Sequence, residues 1–580
     1  MINMNNQTKV LMNKPEKQAV TMTGSRAVME SLVNENVNLI FGYPGGAIMP
    51  VYDALYSFRE SLQHILVRHE QGALHAAQGF ARATGKVGVC LVTSGPGATN
   101  TVTGIADAQI DSTPLVVICG QVGSPLLGTD AFQETDIVGI TQPVTKWNYQ
   151  ITRAEEIPWV IARAFYIARS GRPGPVLIDI TKDAQFGSLE YIYNPVTSTR
   201  SYSPYPIIDP YQVEEASRLI NLASKPLALI GQGVIIANAE KELAQFLEKT
   251  GIPAAETLLG SSALPSDHRL NIGRLGMHGN YGPNIKTNEA DLIIAIGMRF
   301  DDRVTADTKR YATKAKVIHL EIDQAEINKI IHADAPVLGN VKESLPMLTS
   351  KVSKNDHSSW LEEFRACYRV EYDRLIEREL FTDKPGITTA EVVSRVSKAF
   401  SDDAIMVTDV GQHQMTAWRY FKFKQSRSVI TSGGLGTMGF GLPAAIGAKL
   451  GRPDRPVCLF VGDGGFQMTI QELGTIYQSK IPVKIVLLNN NFLGMVRQWQ
   501  ELFFDFRYSY TELINPDFQT IAKGYHLPSL KVTERADLDA AIDTMVSAEG
   551  PFLLEVVVEK EGNVFPMVPA GASVEDIRLE

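Results

Sequence analysis

Short apolar runs alternating with segments of helical period organise this chain. Within residues 21–190, NLIFGYP, GVCLVTS, LVVICGQ and PVLIDI are β-rich and bounded by Gly, Pro or Ser, which predicts buried parallel strands joined by helices. The alternation returns over 213–350 in PLALIGQGVIIAN, DLIIAIGMRFDDR and KVIHLEID. It returns again over 385–580, where VCLF and VKIVLL flank a crossover with Phe466, Ile470, Leu473 and Tyr477 at helical spacing. The expectation is an α/β protein with three doubly wound parallel-sheet domains. Residues 191–212, rich in Ser, Tyr and Pro, read as a linker, and 351–384, with the charged stretch SSWLEEFRACYRVEYDRLIEREL, as a helical connector. Residues 1–20 read as a disordered tail, and the closing NVFPMVPAGASVEDIRLE as a tail folded over another part of the chain.

A length of 580 residues suits three domains, and 44% hydrophobic content belongs to a globular protein. The net charge is −9, and no Lys/Arg cluster with interleaved aromatics stands out, which argues against nucleic acid as a partner. Runs such as LVVIC fall far below the roughly 20 apolar residues of a spanning helix, so no membrane is expected. The N-terminus has no apolar h-region, and its first arginine is Arg26, unlike a secretory signal or an Arg-rich transit peptide. Cys90, Cys119, Cys367 and Cys458 show no CxxC spacing, which fits free thiols in a reducing, cytoplasmic setting.

Candidate chemistry centres on GDGG, residues 462–465, and on NNN, residues 489–491. Asp463 and Asn490 each follow an apolar strand, so both are expected at the carboxyl edge of one sheet, where ligands collect. A carboxylate and an amide carbonyl are hard oxygen ligands for Mg²⁺ or Ca²⁺, and Gly464 and Gly465 leave room for a phosphate. Alone, GDG reads better as a strand-to-helix turn capped by Asp463. GDG followed by NN after an apolar strand resembles the thiamine diphosphate motif of that cofactor's enzyme superfamily. The resemblance implies that Asp463, Asn490 and the carbonyl of Phe492 hold Mg²⁺, and the metal holds the diphosphate.

Glu70, in RHEQGA, reads locally as an acidic residue favoured at a helix N-terminus. His69 and His75 do not share a helix face, so a zinc HExxH reading fails. FGYPGG and TSGPGATN are explained by turn chemistry alone, yet together with DAFQE they resemble the pyrimidine-binding domain of acetolactate synthase, also called acetohydroxyacid synthase. That resemblance implies Glu70 as the carboxylate beside the aminopyrimidine, Gly45 and Gly46 at the cofactor, and Gln133 and Lys182 at the reacting groups. In SGGLGTMGFGLPAAIGA it gives Gly436 a hydrogen bond from the aminopyrimidine and makes Met438 the wedge between the cofactor's rings, a contact that suits a polarizable thioether. Gln412 and His413 of GQHQM would meet the diphosphate, and Met495 would line the cofactor site.

The glycine pair Gly231 and Gly233 in LIGQGVIIANA is a degenerate echo of GxGxxG. LGMHG and GMRFDDRVT resemble the flavin-binding segments of the biosynthetic branch of the family, implying that His278 and Arg299 touch FAD and that Arg303 reaches the site's mouth. A solvated surface loop explains the same charges. Trp499 lies on an aromatic helix stripe, which by itself reads as a core face; by the resemblance it corresponds to the tryptophan that narrows the site for the second substrate. Three departures are visible: GDGG where GDGS is common, QVGSPLLG without the Pro and Arg of plant-type relatives, and Thr181 in place of Pro before Lys182.

The resemblance, running from about residue 21 to about 573, is to the catalytic large subunit of acetolactate synthase. It implies pyrimidine and diphosphate domains flanking a central Rossmann-like FAD domain, and condensation of two 2-oxoacids with loss of CO₂. It also implies a homodimer or homotetramer, Glu70 of one copy serving cofactor held by another, and a small regulatory subunit. Rival readings are a flavin-dependent pyruvate oxidase, a flavin-free catabolic synthase, a nucleotide-dependent dehydrogenase and a non-catalytic paralogue. Glyoxylate carboligase is disfavoured, because that relative lacks the glutamate corresponding to Glu70.

Overall fold

The computed structural model describes residues 20–383 and 385–580. The tail expected over 1–20 lies outside the described residues except for Val20, which begins a strand, Val20–Thr23, paired antiparallel with Ser188–Tyr191.

Three six-stranded sheets carry the chain, and within each every pairing is parallel. In the first, the neighbours run Gln63–Leu66, Leu39–Gly42, Gly88–Val92, Leu115–Gln121, Pro175–Thr181, Trp147–Ile151. In the third they run Val429–Ile430, Ile405–Thr408, Val457–Gly462, Lys484–Asn489, Phe552–Val557, Ser529–Val532. Counted along the chain within each sheet, both orders are 2-1-3-4-6-5, so the outer units share one topology. The middle sheet, from Asn271–Arg274 through Ala254–Glu256, Pro226–Ile230, Leu292–Ile296 and Lys316–Glu321 to Ala335–Leu338, has the order 3-2-1-4-5-6 of a dinucleotide-binding fold. Strands such as LIIAI and GVCLV are buried along their whole length, as two-sided burial under crossover helices requires.

The outer units share one hydrophobic core, closed by the helices Glu70–Thr84 and Gly441–Gly451. Their backbones approach so closely that a Cβ on Gly447 would lie 1.7 Å from the Ala76 carbonyl oxygen, and one on Gly79 would lie 2.0 Å from that of Ala444. Backbone atoms cannot step aside as a side chain can. Gly447→Val is expected to destabilise the fold by about 3 kcal/mol or more through overpacking, read as a lower thermal midpoint by circular dichroism.

The crossover after Gly462 is not one continuous helix. It breaks into Asp463–Met468, a 3₁₀ turn at Ile470–Glu472 and Leu473–Ser479. The break has a tertiary cause: the Thr469 hydroxyl donates to the Gly439 carbonyl at 3.0 Å, and the Glu472 carboxylate turns inward to accept from the Arg68 amide at 3.0 Å. Tyr477, expected on the buried face, is therefore half exposed. The connector is helical over Ser358–Glu371, widens to a π turn at Tyr372–Ile376 and ends in Glu377–Leu380. The closing segment lies against the middle unit, where the Val568 amide donates to Met277 and the Asp307 amide to Ala572. Among the described residues no helix is long and apolar enough to cross a membrane.

Candidate active site

The strands Val457–Gly462 and Lys484–Asn489 are adjacent and parallel, so their carboxyl ends reach the same sheet edge and Asp463 and Asn490 lie side by side there. Both line a cavity of about 70 Å³ with Phe492, Gly464, Gly465, Gln412, His413, Met438 and Met495. Burial pushes the Asp463 carboxyl up to about 6. Its Oδ2 accepts one hydrogen bond, from Asn515 Nδ2 at 2.5 Å. The Asn490 Oδ1 accepts from the Phe492 amide at 3.1 Å, which leaves a lone pair free. Burial pushes His413 down to about 4, so it is neutral, and its buried Nε2 has no hydrogen-bond partner among the described residues. Gln412 is partly committed: its Nε2 donates to Gln498 Oε1 and to the Gly562 carbonyl, both at 2.9 Å.

A desolvated carboxylate, an amide oxygen with spare capacity and an unpartnered imidazole nitrogen fit a divalent cation carrying a phosphate ester. A Cβ on Gly465 would sit 2.3 Å from Asp409 Oδ1, so a side chain fits there only if Asp409 shifts.

A larger cavity, about 580 Å³, runs from the middle unit to the third, and Met438 and Met495 line both cavities. On its walls are Gly231, Gly233, His278, Arg299, Arg303, Gly436 and Trp499. The first turn of the middle sheet is tight: a Cβ on Gly231 would lie 2.2 Å from the Gly297 carbonyl, and one on Gly233 2.7 Å from Gly297 Cα. Burial pushes His278 down to about 4, and its Nδ1 lies 3.2 Å from the Pro566 carbonyl of the closing segment. Arg299 stands 3.7 Å from Asp301, while Arg303 lies exposed at the rim beside Met277. The first unit contributes Arg172, held by Asp323 at 3.2 Å and Glu326 at 2.9 Å. This lining of glycine turn, buried histidine and arginines fits an elongated anionic cofactor.

Glu70, Gly45, Gly46, Gln133 and Lys182 line neither cavity. They gather instead at the loop end of the first sheet. His69 caps the helix that Glu70 begins, its ring accepting from the Gln71 amide at 3.2 Å. Glu70 Oε2 accepts from Asn100 Nδ2 at 3.0 Å, and a Cβ on Gly97 would sit 3.3 Å from Oε1. Gly45 packs on Thr93, whereas a Cβ on Gly46 would meet no atom within 4 Å. Gln133, with φ +59°, crowds Gly95, and Lys182 is exposed at the start of Lys182–Phe186. Within one chain the candidate residues therefore form two groups.

Sequence reading missed Asn515, Arg172, Glu472, Asp409, Asp107 and Asp111. Arg172, in the GRPGP turn before a strand, offered a local signal; the others lie in helices or loops whose partners are distant in sequence.

Family models match the three units in order: the N-terminal TPP binding domain of thiamine pyrophosphate enzymes over residues 22–140, their central domain over 213–348 and their C-terminal TPP binding domain over 409–556. The acetolactate synthase large subunit of Corynebacterium glutamicum is 47% identical over 96% of this chain and 90% of its own length. That of Lactococcus lactis is 44% identical over 97% and 96%. The acetolactate synthase isozyme 2 large subunit of Escherichia coli is 45% identical over 95% and 98%. Near full-length identity of this order, on a chain whose cavities carry the thiamine diphosphate motif, places the protein in the acetolactate synthase large-subunit family of thiamine pyrophosphate enzymes.

Proposed function

We propose that the protein decarboxylates pyruvate and joins the remaining two-carbon unit to a second pyruvate or to 2-oxobutyrate, forming 2-acetolactate or 2-aceto-2-hydroxybutyrate, the first common step toward branched-chain amino acids. The observation that carries this reading is the meeting of Asp463 and Asn490 in a cavity that shares Met438 and Met495 with the larger one. Bound thiamine diphosphate supplies a nucleophilic carbon and an electron sink. Asp463, Asn490 and the Phe492 carbonyl would hold Mg²⁺; Gln412, His413, Gly464 and Gly465 would receive the diphosphate. Gly436 and Met438 would orient the cofactor's rings, and Glu70 would hold and return a proton at its carboxylate. FAD is assigned to the larger cavity, against Gly231, Gly233, His278 and Arg299. The domain roles follow as pyrimidine-binding for 21–190, FAD-binding for 213–350 and diphosphate-binding for 385–580.

The separation of Glu70 from Asp463 supports a dimer in which each site takes one group from each copy. Around the Glu70 group Tyr43, Met49 and Phe132 are exposed, Phe132 at 88%, as a face awaiting a partner would be. Gln133 and Lys182 would join the site across that interface. Relatives named as large subunits support a small regulatory partner. Buried free thiols favour a cytoplasmic setting.

The test is incubation of the purified protein with pyruvate, thiamine diphosphate and Mg²⁺, with products and oxygen uptake measured together. Acetolactate without oxygen consumption supports the synthase; acetyl phosphate or acetate with oxygen uptake supports a flavin-dependent oxidase and overturns it. Trp499, 41% exposed at the larger cavity, would narrow the space for the second substrate. Trp499→Leu is expected to change the preference between 2-oxobutyrate and pyruvate by about tenfold, the scale of one methylene in an apolar pocket, measured by product ratio in mixed-substrate assays.

A further inference from the structure

The loop 432–438 forms part of the larger cavity's wall and brings Met438 to the junction of the two cavities. Two carboxylates of the first unit bind two of its amides and both of its hydroxyls. Asp111 accepts from the Gly433 amide at 2.9 Å and from the Gly434 amide at 2.7 Å. Asp107 Oδ1 accepts from the Thr437 hydroxyl at 2.9 Å and from the Ser432 hydroxyl, which itself takes the Thr437 amide at 2.9 Å. Arg82 balances Asp111 at 2.7 Å, while Asp107 Oδ2 is buried with no partner among the described residues. Beyond Met438, Asp409 takes the Gly439 amide at 3.0 Å and the Gly441 amide at 2.8 Å.

Met438 is thus suspended between two sets of buried carboxylates. Gly434 has no room for a side chain, since a Cβ there would sit 2.9 Å from Asp111 Oδ1 and 2.8 Å from Ile110. Both oxygens of Asp111 sit on consecutive amides, and one oxygen of Asp107 takes both loop hydroxyls, so the backbone on the near side of Met438 is fixed from the first unit. An unsatisfied buried oxygen is costly, and here it accompanies the two hydroxyl bonds that fix Thr437 beside Met438.

We propose that Asp107 and Asp111 are positioning residues that set the placement of Met438 and Gly436 at the cofactor, acting from the first unit on a loop of the third. The inference rests on the synthase reading above. It is tested on the full-length holoenzyme with Asp107→Ala, Asp107→Asn and, from the loop side, Thr437→Val. A displaced wedge should lower kcat by about tenfold to a hundredfold, the scale of a misplacement near 1 Å. In Asp107→Ala we expect that loss with the KM for pyruvate within about threefold of wild type. Asp107→Asn should recover most of kcat, because its amide oxygen still accepts both hydroxyls. Thr437→Val should lower kcat in the same direction and add nothing to Asp107→Ala in the double variant.

The proposal is overturned if Asp107→Asn is as impaired as Asp107→Ala, if either Asp107→Ala or Thr437→Val keeps wild-type kcat, or if the two losses are additive. A wild-type protein that makes no acetolactate would instead overturn the functional reading. The loop's role is then read from thiamine diphosphate affinity, by isothermal titration calorimetry in the presence of Mg²⁺: a weakened affinity in Asp107→Ala, restored in Asp107→Asn, supports it, and equal affinities overturn it.

Discussion

Glu70→Ala is expected to abolish acetolactate formation while thiamine diphosphate and Mg²⁺ still bind. The carboxylate begins a helix whose N-terminal turn is already capped by His69, so Glu70 is not needed to start that helix. Its carboxylate accepts a hydrogen bond from Asn100, which is half-buried and can turn to water when the acceptor is lost. Truncation therefore should cost little stability. It also removes none of the groups assigned to the metal, since Asp463, Asn490 and Phe492 all belong to the third unit. What is removed is a proton-carrying group, and general acid–base groups contribute about 10² to 10⁴ in rate. The full effect should appear in kcat, with cofactor titration by fluorescence or calorimetry near wild type. Loss of cofactor binding in Glu70→Ala would refute the assigned role. Glu70→Gln sharpens the test: its amide oxygen keeps the Asn100 contact but carries no proton, so it should be as inactive as Glu70→Ala.

The same prediction carries a test of assembly. If each site takes Glu70 from one copy and Asp463 from the other, Glu70→Ala mixed with an Asp463→Ala protein should regain activity on subunit exchange. At random pairing about half the dimers would be hybrids, each with one wild-type site and one doubly impaired site. No recovery, with exchange demonstrated, would place both groups in sites formed within one chain.

How much of this was legible before the fold is clearest at the two ends of the metal corner. Asp463 and Asn490 could be paired from sequence because each terminates an apolar run, and adjacent parallel strands bring such termini to one edge. Asn515, which holds Asp463 Oδ2, gave no such signal: it lies in an irregular stretch, and its partners Asp463, Asn489 and Asn491 come from elsewhere in the chain. Asp107 was equally silent. It sits in Val102–Ile110, and a polar residue in a helix reads as a solvated position until the loop it binds is seen to come from residue 432 onward. The helix break at Thr469 has the same origin, since Gly439 and Arg68 redirect the chain there and neither is local. Periodicity reports which face of an element is apolar; it does not report which distant carbonyl or amide will bind a polar side chain on that face.

Asp463→Ala is expected to do the reverse of Glu70→Ala and remove Mg²⁺-dependent thiamine diphosphate binding. With the carboxylate gone, the corner keeps only neutral oxygens, from Asn490 and the Phe492 carbonyl, and a divalent cation loses its one charged protein ligand in a partly dry site. Partners that only orient metal ligands are worth about 10- to 100-fold in affinity, so loss of the ligand itself should weaken cofactor binding by about 100-fold or more. The effect is separable from damage to the fold. Burial raises the Asp463 carboxyl to about 6, so in the metal-free protein its ionised form is disfavoured, and that penalty grows as pH rises from the ordinary carboxylate range through about 6. Asn515 retains Asn489 and Asn491 as acceptors when Asp463 is removed. Metal-free Asp463→Ala should therefore melt at or above the wild-type temperature at pH 7, while the rise in melting temperature that Mg²⁺ and thiamine diphosphate give the wild type should disappear. A variant that still gains that stabilisation would show that the cation is held elsewhere.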